Sequence, residues 1–87
     1  MTTLEQPDVV AVWLVDAVPA RIVWRGRRFR VTDRPTPIRE TTGTFGPTHP
    51  TEGLVGWRFQ GTCDDESLVF DVLGSAASGW RLAAFYA

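Results

Sequence analysis

The residues able to do covalent or metal chemistry are few and badly spaced for it. The single histidine, His49, lies between Thr48 and Pro50, and the single cysteine, Cys63, follows fourteen positions later. Structural zinc needs several thiolate or imidazole ligands at short spacing, so this pattern excludes it. Nucleophilic catalysis needs an activated Ser, Cys or Thr beside a base. The triplet Thr48-His49-Pro50 holds both residue types, but no G-x-S-x-G elbow accompanies it, and a histidine next to proline reads as a turn residue. Thr48 and His49 are retained only as candidate binding residues. Cys63 reads as a small, half-buried residue at a strand end rather than a catalytic thiol. Asp64, Asp65 and Glu66 could offer oxygens to magnesium or calcium, but adjacent acids between two strands read as a solvated turn. Asp16, Asp33 or Asp71 could pair for acid–base work on a glycoside, yet a chain with ten acids permits many such pairs. The glycines are scattered rather than gathered between a strand and a helix, as a phosphate-cradling loop requires. No enzymatic activity, metal or cofactor is expected.

The side chains left to recognise something are the arginines. All nine basic residues are arginine, and six of them fall between Arg21 and Arg34. A GC-rich genome accounts for the lack of lysine. Arginine interleaves with aromatics in Trp24-Arg-Gly-Arg-Arg-Phe-Arg, Trp57-Arg-Phe and Trp80-Arg-Leu, a composition also seen in nucleic-acid-binding sheets. In an extended chain, however, the ring and its neighbouring guanidinium point to opposite faces, so these rings enter the core. An arginine face remains, made of Arg21, Arg28 and Arg30 and extended by Arg58 and Arg81 if their strands lie beside the others. Such a face can grip phosphates or carboxylates bidentately. The competing reading is that it pairs with the chain's own acids, Asp71 among them.

The elements that must position these residues are strands. Val9-Val-Ala-Val-Trp-Leu-Val15 reads as a strand buried on both faces. Residues 20–33 form the clearest hairpin, with Arg25-Gly26 at the turn, Trp24 opposite Arg27 and Ile22 opposite Phe29. Arg25 is not the usual Asn or Asp of such a turn, which leaves the turn type open. Two-residue alternation recurs at Val55, Trp57 and Phe59, at Leu68, Phe70 and Val72, and at Trp80, Leu82, Ala84 and Tyr86. Turn-rich segments at Cys63–Ser67 and Gly74–Gly79 join these into a meander. No stretch reads as a helix. The expectation is an all-β chain of about six strands, closed into a small antiparallel barrel or strongly bent sheet. Residues 35–53, with four prolines and repeated threonines, read as one long Pro/Thr-rich loop, either a mobile excursion or a binding loop.

Eighty-seven residues suit one domain with one core, the first eight residues forming a flexible lead-in. A lone cysteine implies a reducing, cytoplasmic setting. The N-terminus lacks a basic start followed by an apolar stretch, and no apolar run is long enough to span a bilayer, so no membrane role is expected.

Pro19-Ala-Arg-Ile-Val-Trp-Arg-Gly-Arg-Arg-Phe-Arg-Val31, followed by Gly56-Trp-Arg-Phe and the closing Trp80-Arg-Leu, resembles a family of small actinobacterial domains of unknown function. Similar domains are attached to inactive Y-family polymerase-like proteins that assist translesion DNA synthesis. The resemblance implies an adaptor or DNA-associated role without catalytic residues. Two functional expectations follow. The first is a protein–protein adaptor presenting residues 35–53 or an open strand edge to a protein partner. The alternative is a nucleic-acid-binding domain that uses the arginine face.

Overall fold

Short two-residue turns set the architecture. Arg25 and Gly26 both take positive φ, 52° and 75°, and Asp16 and Ala17 do the same at 52° and 64°. Paired left-handed residues of this kind give the type I′ turn, whose twist matches that of the strands it joins. Glycine at position 26 relieves the second left-handed residue, while Arg25 bears the cost of the first. A third two-residue turn, Asp64-Asp65, begins at φ 52°. At the last hairpin, Ser78 N donates to Ser75 Oγ at 3.0 Å and closes the loop.

A computed structural model of the chain describes residues 2–42 and 51–87, with side chains described for 8–39 and 53–87. Seven strands follow in order: β1 (Thr2–Val15), β2 (Val18–Trp24), β3 (Arg27–Val31), β4 (Thr36–Thr42), β5 (Thr51–Cys63), β6 (Glu66–Ser75) and β7 (Gly79–Tyr86). They form one antiparallel sheet in the order β3-β2-β1-β7-β6-β5-β4, and β3 also pairs with β5. Six strands therefore close into a barrel, and β4 lies outside the ring. The closure is short, with Arg30 opposite Thr62 and Val31 opposite Gly61. Beyond it, Thr32 N donates to Gln60 O at 2.9 Å and Gln60 N donates to Asp33 Oδ1 at 2.8 Å. These two bonds carry the seam past the end of β3. Among the described residues no helix is long and apolar enough to cross a membrane.

Three expectations are corrected. Residues 35–53 are not one loop, because β4 pairs with the first half of β5 from Thr36 opposite Arg58 to Thr42 opposite Thr51. Threonine favours extended structure, and Pro37 fits because β4 ends the sheet order, with no neighbour on its other side among the described residues. Candidate residues Thr48 and His49 lie outside the described residues. The first eight residues are not a lead-in either, since Thr2 pairs with Phe85 and Thr3 with Ala84 in β7. Finally, β1 is not buried on both faces. Val10 is buried and Val12 and Leu14 are half-buried, whereas Val9, Ala11, Trp13 and Val15 are exposed. One barrel buries one face, and nothing among the described residues covers the other.

The core is a cluster of rings. Phe29, Phe59 and Phe70 are fully buried together with Ile22, Leu82 and Val72. Phe70 stands at the centre, 5.0 Å from Phe29, 5.8 Å from Trp24 and 5.9 Å from Phe59 between ring centroids. The first two contacts are edge-to-face, the arrangement that the ring quadrupole favours. Trp24 keeps its polar end satisfied by donating from Nε1 to Asp8 Oδ2 at 2.8 Å. Gly61 sits where β5 crosses this cluster. A Cβ at that position would lie 2.8 Å from the Phe70 ring and 3.0 Å from Phe29 Cβ.

Phe70→Ala should therefore destabilise the chain by about 3–5 kcal/mol in urea unfolding followed by tryptophan emission. Gly61→Val should lower the unfolding midpoint as well, by pushing rings apart rather than by leaving a hole. A loss under about 1 kcal/mol for Phe70→Ala would place the centre of the core elsewhere.

Candidate functional site

Residues directly opposite in an antiparallel pair share a face of the sheet. On the outside of the barrel, Trp13 of β1 lies opposite Arg21 of β2, and Arg21 lies opposite Arg30 of β3. One step along, Ala11 lies opposite Val23, and Val23 opposite Arg28. Neighbouring strands are about 4.8 Å apart, so each row spans about 10 Å from β1 to β3. The face grades across that distance from apolar to cationic. On β1 it shows Val9 at 85% exposure, Trp13 at 52% and Val15 at 61%; on β3 it shows Arg28 and Arg30.

A β-bulge produces this alignment. From the Asp16-Ala17 turn, Val15 pairs with Val18 and Leu14 with Pro19, after which the register shifts and Trp13 meets Arg21, passing over Ala20. Without the shift, Trp13 would meet Ala20, and Arg21 would lie opposite the inward Val12. The extra residue rephases β2, so that Ile22 and Trp24 enter the core and Arg21 points outward beside the tryptophan.

Two adjoining hollows result. One, of about 370 Å³, is lined by Trp13, Arg21, Val23 and Arg28. The other, of about 380 Å³, is lined by Arg21, Arg28, Arg30, Thr62, Cys63 and Asp64. Among the described residues, Arg21, Arg28 and Arg30 form no ion pair. The arginines around them are engaged: Arg25 Nε lies 3.4 Å from Asp8 Oδ2, and Arg27 is bonded to Glu66. Asp64 is the one carboxylate residue that lines the second hollow.

Arg58 and Arg81 do not join this group. Arg58 is clamped on Asp71, with Nε donating to Oδ1 at 2.6 Å and Nη2 to Oδ2 at 2.9 Å. Tyr86 OH donates to Asp71 Oδ2 at 2.7 Å and accepts from Arg58 Nη2 at 2.6 Å. Burial pushes the Asp71 carboxyl upward, but the hydrogen bonds from Arg58 and Tyr86 together outweigh it and hold the group below its ordinary value. The same bond to Asp71, with some burial, raises the Tyr86 phenol. The arrangement locks β5, β6 and β7 together on their outer face. Arg81 lies on β7, opposite Val9 and Leu73, three strands round the ring from β3.

Trp13 is the residue that sequence reasoning missed. A run in which both parities are apolar conceals which of its residues face out, and the bulge that settles the question leaves no obvious mark in Pro19-Ala20-Arg21. The usable signal was that a barrel buries only one face of each strand. No family model, curated protein or solved structure matches the chain.

Two outcomes check this geometry. Of the four tryptophans, Trp24 and Trp80 are buried at 6% and 7% exposure and Trp57 is half-buried, so Trp13→Phe should remove the largest single share of the emission that iodide quenches. Unchanged quenching would place Trp13 inside. Because Asp71 is held below its unfolded value of about 3.9, its contribution to stability is complete above that pH and is lost as pH falls through the folded value. Urea midpoints should therefore drop more steeply on the acid side of about pH 4 for the wild type than for Asp71→Asn; parallel curves would contradict the clamp.

Proposed function

We propose that the chain is a non-enzymatic interaction module that receives a protein partner on the outer face of β1, β2 and β3. The observation that carries this reading is the solvent-facing row Val9, Ala11, Trp13 and Val15, continued by Val18 at 37% exposure. A contiguous apolar strip on a small chain is costly to leave in water and characteristically marks a binding site. Tryptophan and arginine, the two side chains that stand together at Trp13 and Arg21, are also those most enriched at the energetic centres of protein interfaces. The resemblance carried by Pro19–Val31 implies an adaptor role too. The single cysteine, half-buried Cys63, supports a cytoplasmic setting. The face proposed here replaces residues 35–53 as the presenting element. The outer edge of β4 is a second place where a strand could be added.

Nucleic-acid binding has one specific observation in its favour: three arginines without carboxylate partners among the described residues, beside an exposed indole. Against it stand the aliphatic character of the β1 row, which offers a single ring for stacking, and a net charge of −1 for the chain.

Two assays separate the readings. In pull-downs, the wild type should retain a partner that Trp13→Ser/Val15→Ser loses while keeping its unfolding midpoint. In fluorescence anisotropy, labelled single- and double-stranded DNA should remain unbound at physiological salt. Tight DNA binding that weakens steeply with salt and disappears in Arg28→Ser/Arg30→Ser would replace the protein partner with a nucleic acid.

A further inference from the structure

The face also specifies the chemistry of what covers it. Resting on the protein-binding reading, we infer that the partner presents an acidic amphipathic segment, with apolar side chains lying along β1 and carboxylates about 10 Å to one side, over β3.

Charge complementarity is the first ground. Two of the chain's own acids are engaged elsewhere: Asp8 faces Arg25 and the Trp24 indole, and Glu66 holds Arg27. Three guanidinium groups, from Arg21, Arg28 and Arg30, then share one hollow with the single carboxylate of Asp64. Three like charges gathered on neighbouring strands repel one another unless anions arrive, and carboxylates match the planar guanidinium fork bidentately. Thr62 lines the same hollow, and its Oγ1 lies 2.8 Å from Ser67 Oγ.

The apolar row supplies the second ground. Val9 to Val15 covers about 20 Å of extended strand, and its side chains are aliphatic except for Trp13. Aliphatic groups gain from contact with leucine-like or aromatic side chains and offer a stacked base no π-face. Val23, half-buried, floors the hollow between Trp13 and Arg28, which suits one apolar side chain inserted between the ring and the guanidinium group. The two rows together describe a ligand about as wide as an α-helix, 10–12 Å across, with one apolar and one acidic flank. A second copy of this chain offers no such ligand from the same face, which among its described residues has apolar side chains on β1 and arginines on β3.

Display selection against the immobilised full chain, from random peptides of about twelve residues, tests this directly; that length covers about 18 Å as a helix and about 40 Å extended, against the ~20 Å of the β1 row. Recovered peptides should be enriched in Asp and Glu beside Leu, Phe or Trp. They should bind Arg21→Ser/Arg28→Ser/Arg30→Ser roughly tenfold or more weakly than wild type, a loss of about 1.4 kcal/mol, and Asp64→Asn more tightly. Polyglutamate and oligo-dT, which supply charge without an apolar flank, should bind poorly. Recovered peptides without acidic bias whose binding is lost in Trp13→Ser would overturn the acidic partner and leave the docking face standing. Oligo-dT binding as tightly as the best peptide, or a chain that sediments as a dimer and reverts to monomer in Trp13→Ser, would overturn it in favour of a nucleic acid or a second copy. An empty selection, or peptides insensitive to both Trp13→Ser and the arginine variant, would overturn the inference and the docking face together.

Discussion

The seam between β3 and β5 rests on the absence of a side chain. Gly61 lies opposite Val31 at the closure, and any Cβ there would press within 3.0 Å of both the Phe70 ring and Phe29. Because that space is left free, rings from β3, β5 and β6 meet in one cluster behind a closure of two residue pairs and the two hydrogen bonds that extend it. The strong twist of the hairpins, each begun by left-handed turn residues, brings β3 round to β5 in the first place. Without the ring contacts, β3 would be an exposed edge and the β2–β3 hairpin a loose flap.

Closure divides every strand into an inner and an outer row. Among the described residues the inner rows are mostly apolar, with Val10 on β1, Ile22 and Trp24 on β2, Phe29 on β3, Phe59 on β5, Leu68, Phe70 and Val72 on β6, and Trp80 and Leu82 on β7. The outer rows differ from one side of the barrel to the other. Over β5, β6 and β7 part of the outside is tied to itself, with Asp71 accepting from both Arg58 and Tyr86. Over β1, β2 and β3 it is not: valines and an indole meet water, and three arginines lack carboxylate partners among the described residues. The bulge at Ala20 is what sets indole and guanidinium groups side by side. A single extra residue thus links the register of the core to the composition of the outer face.

Much of the architecture could be read from alternation alone. The Arg25-Gly26 hairpin, the pairing of Trp24 with Arg27 and of Ile22 with Phe29, the outward turn of Arg21, Arg28 and Arg30 and the meander of the last three strands all follow from two-residue periodicity and turn chemistry. The partnership of Asp71 with an outer-face arginine was also foreseeable, since both residues sit out of phase with buried neighbours. Other features had no local signature. Strand β4, Thr36-Pro-Ile-Arg-Glu-Thr-Thr42, is built mostly from residues that suit a loop equally well, and it pairs along the edge that the long β5 offers. Trp13 sits in a run where both faces are apolar, and only the number of layers in the finished fold shows that one of them stays in water. Arg58 and Arg81 carry the same side chain as Arg21 but are separated from it by strand order, which alternation does not encode.

The outer face of β1, β2 and β3 is proposed as half of an interface. Amide chemical-shift mapping of the isotope-labelled chain during titration with its captured partner tests it most directly. An interface there requires the largest shifts over Val9–Val15, Arg21–Val23 and Arg28–Arg30, together with Trp13 Nε1, while the amides around Arg58, Asp71 and Tyr86 stay in place. Shifts confined to the β4 edge or to the Arg81 side of β7, with Trp13 unmoved, would show that the exposed apolar row is not the surface through which the protein acts.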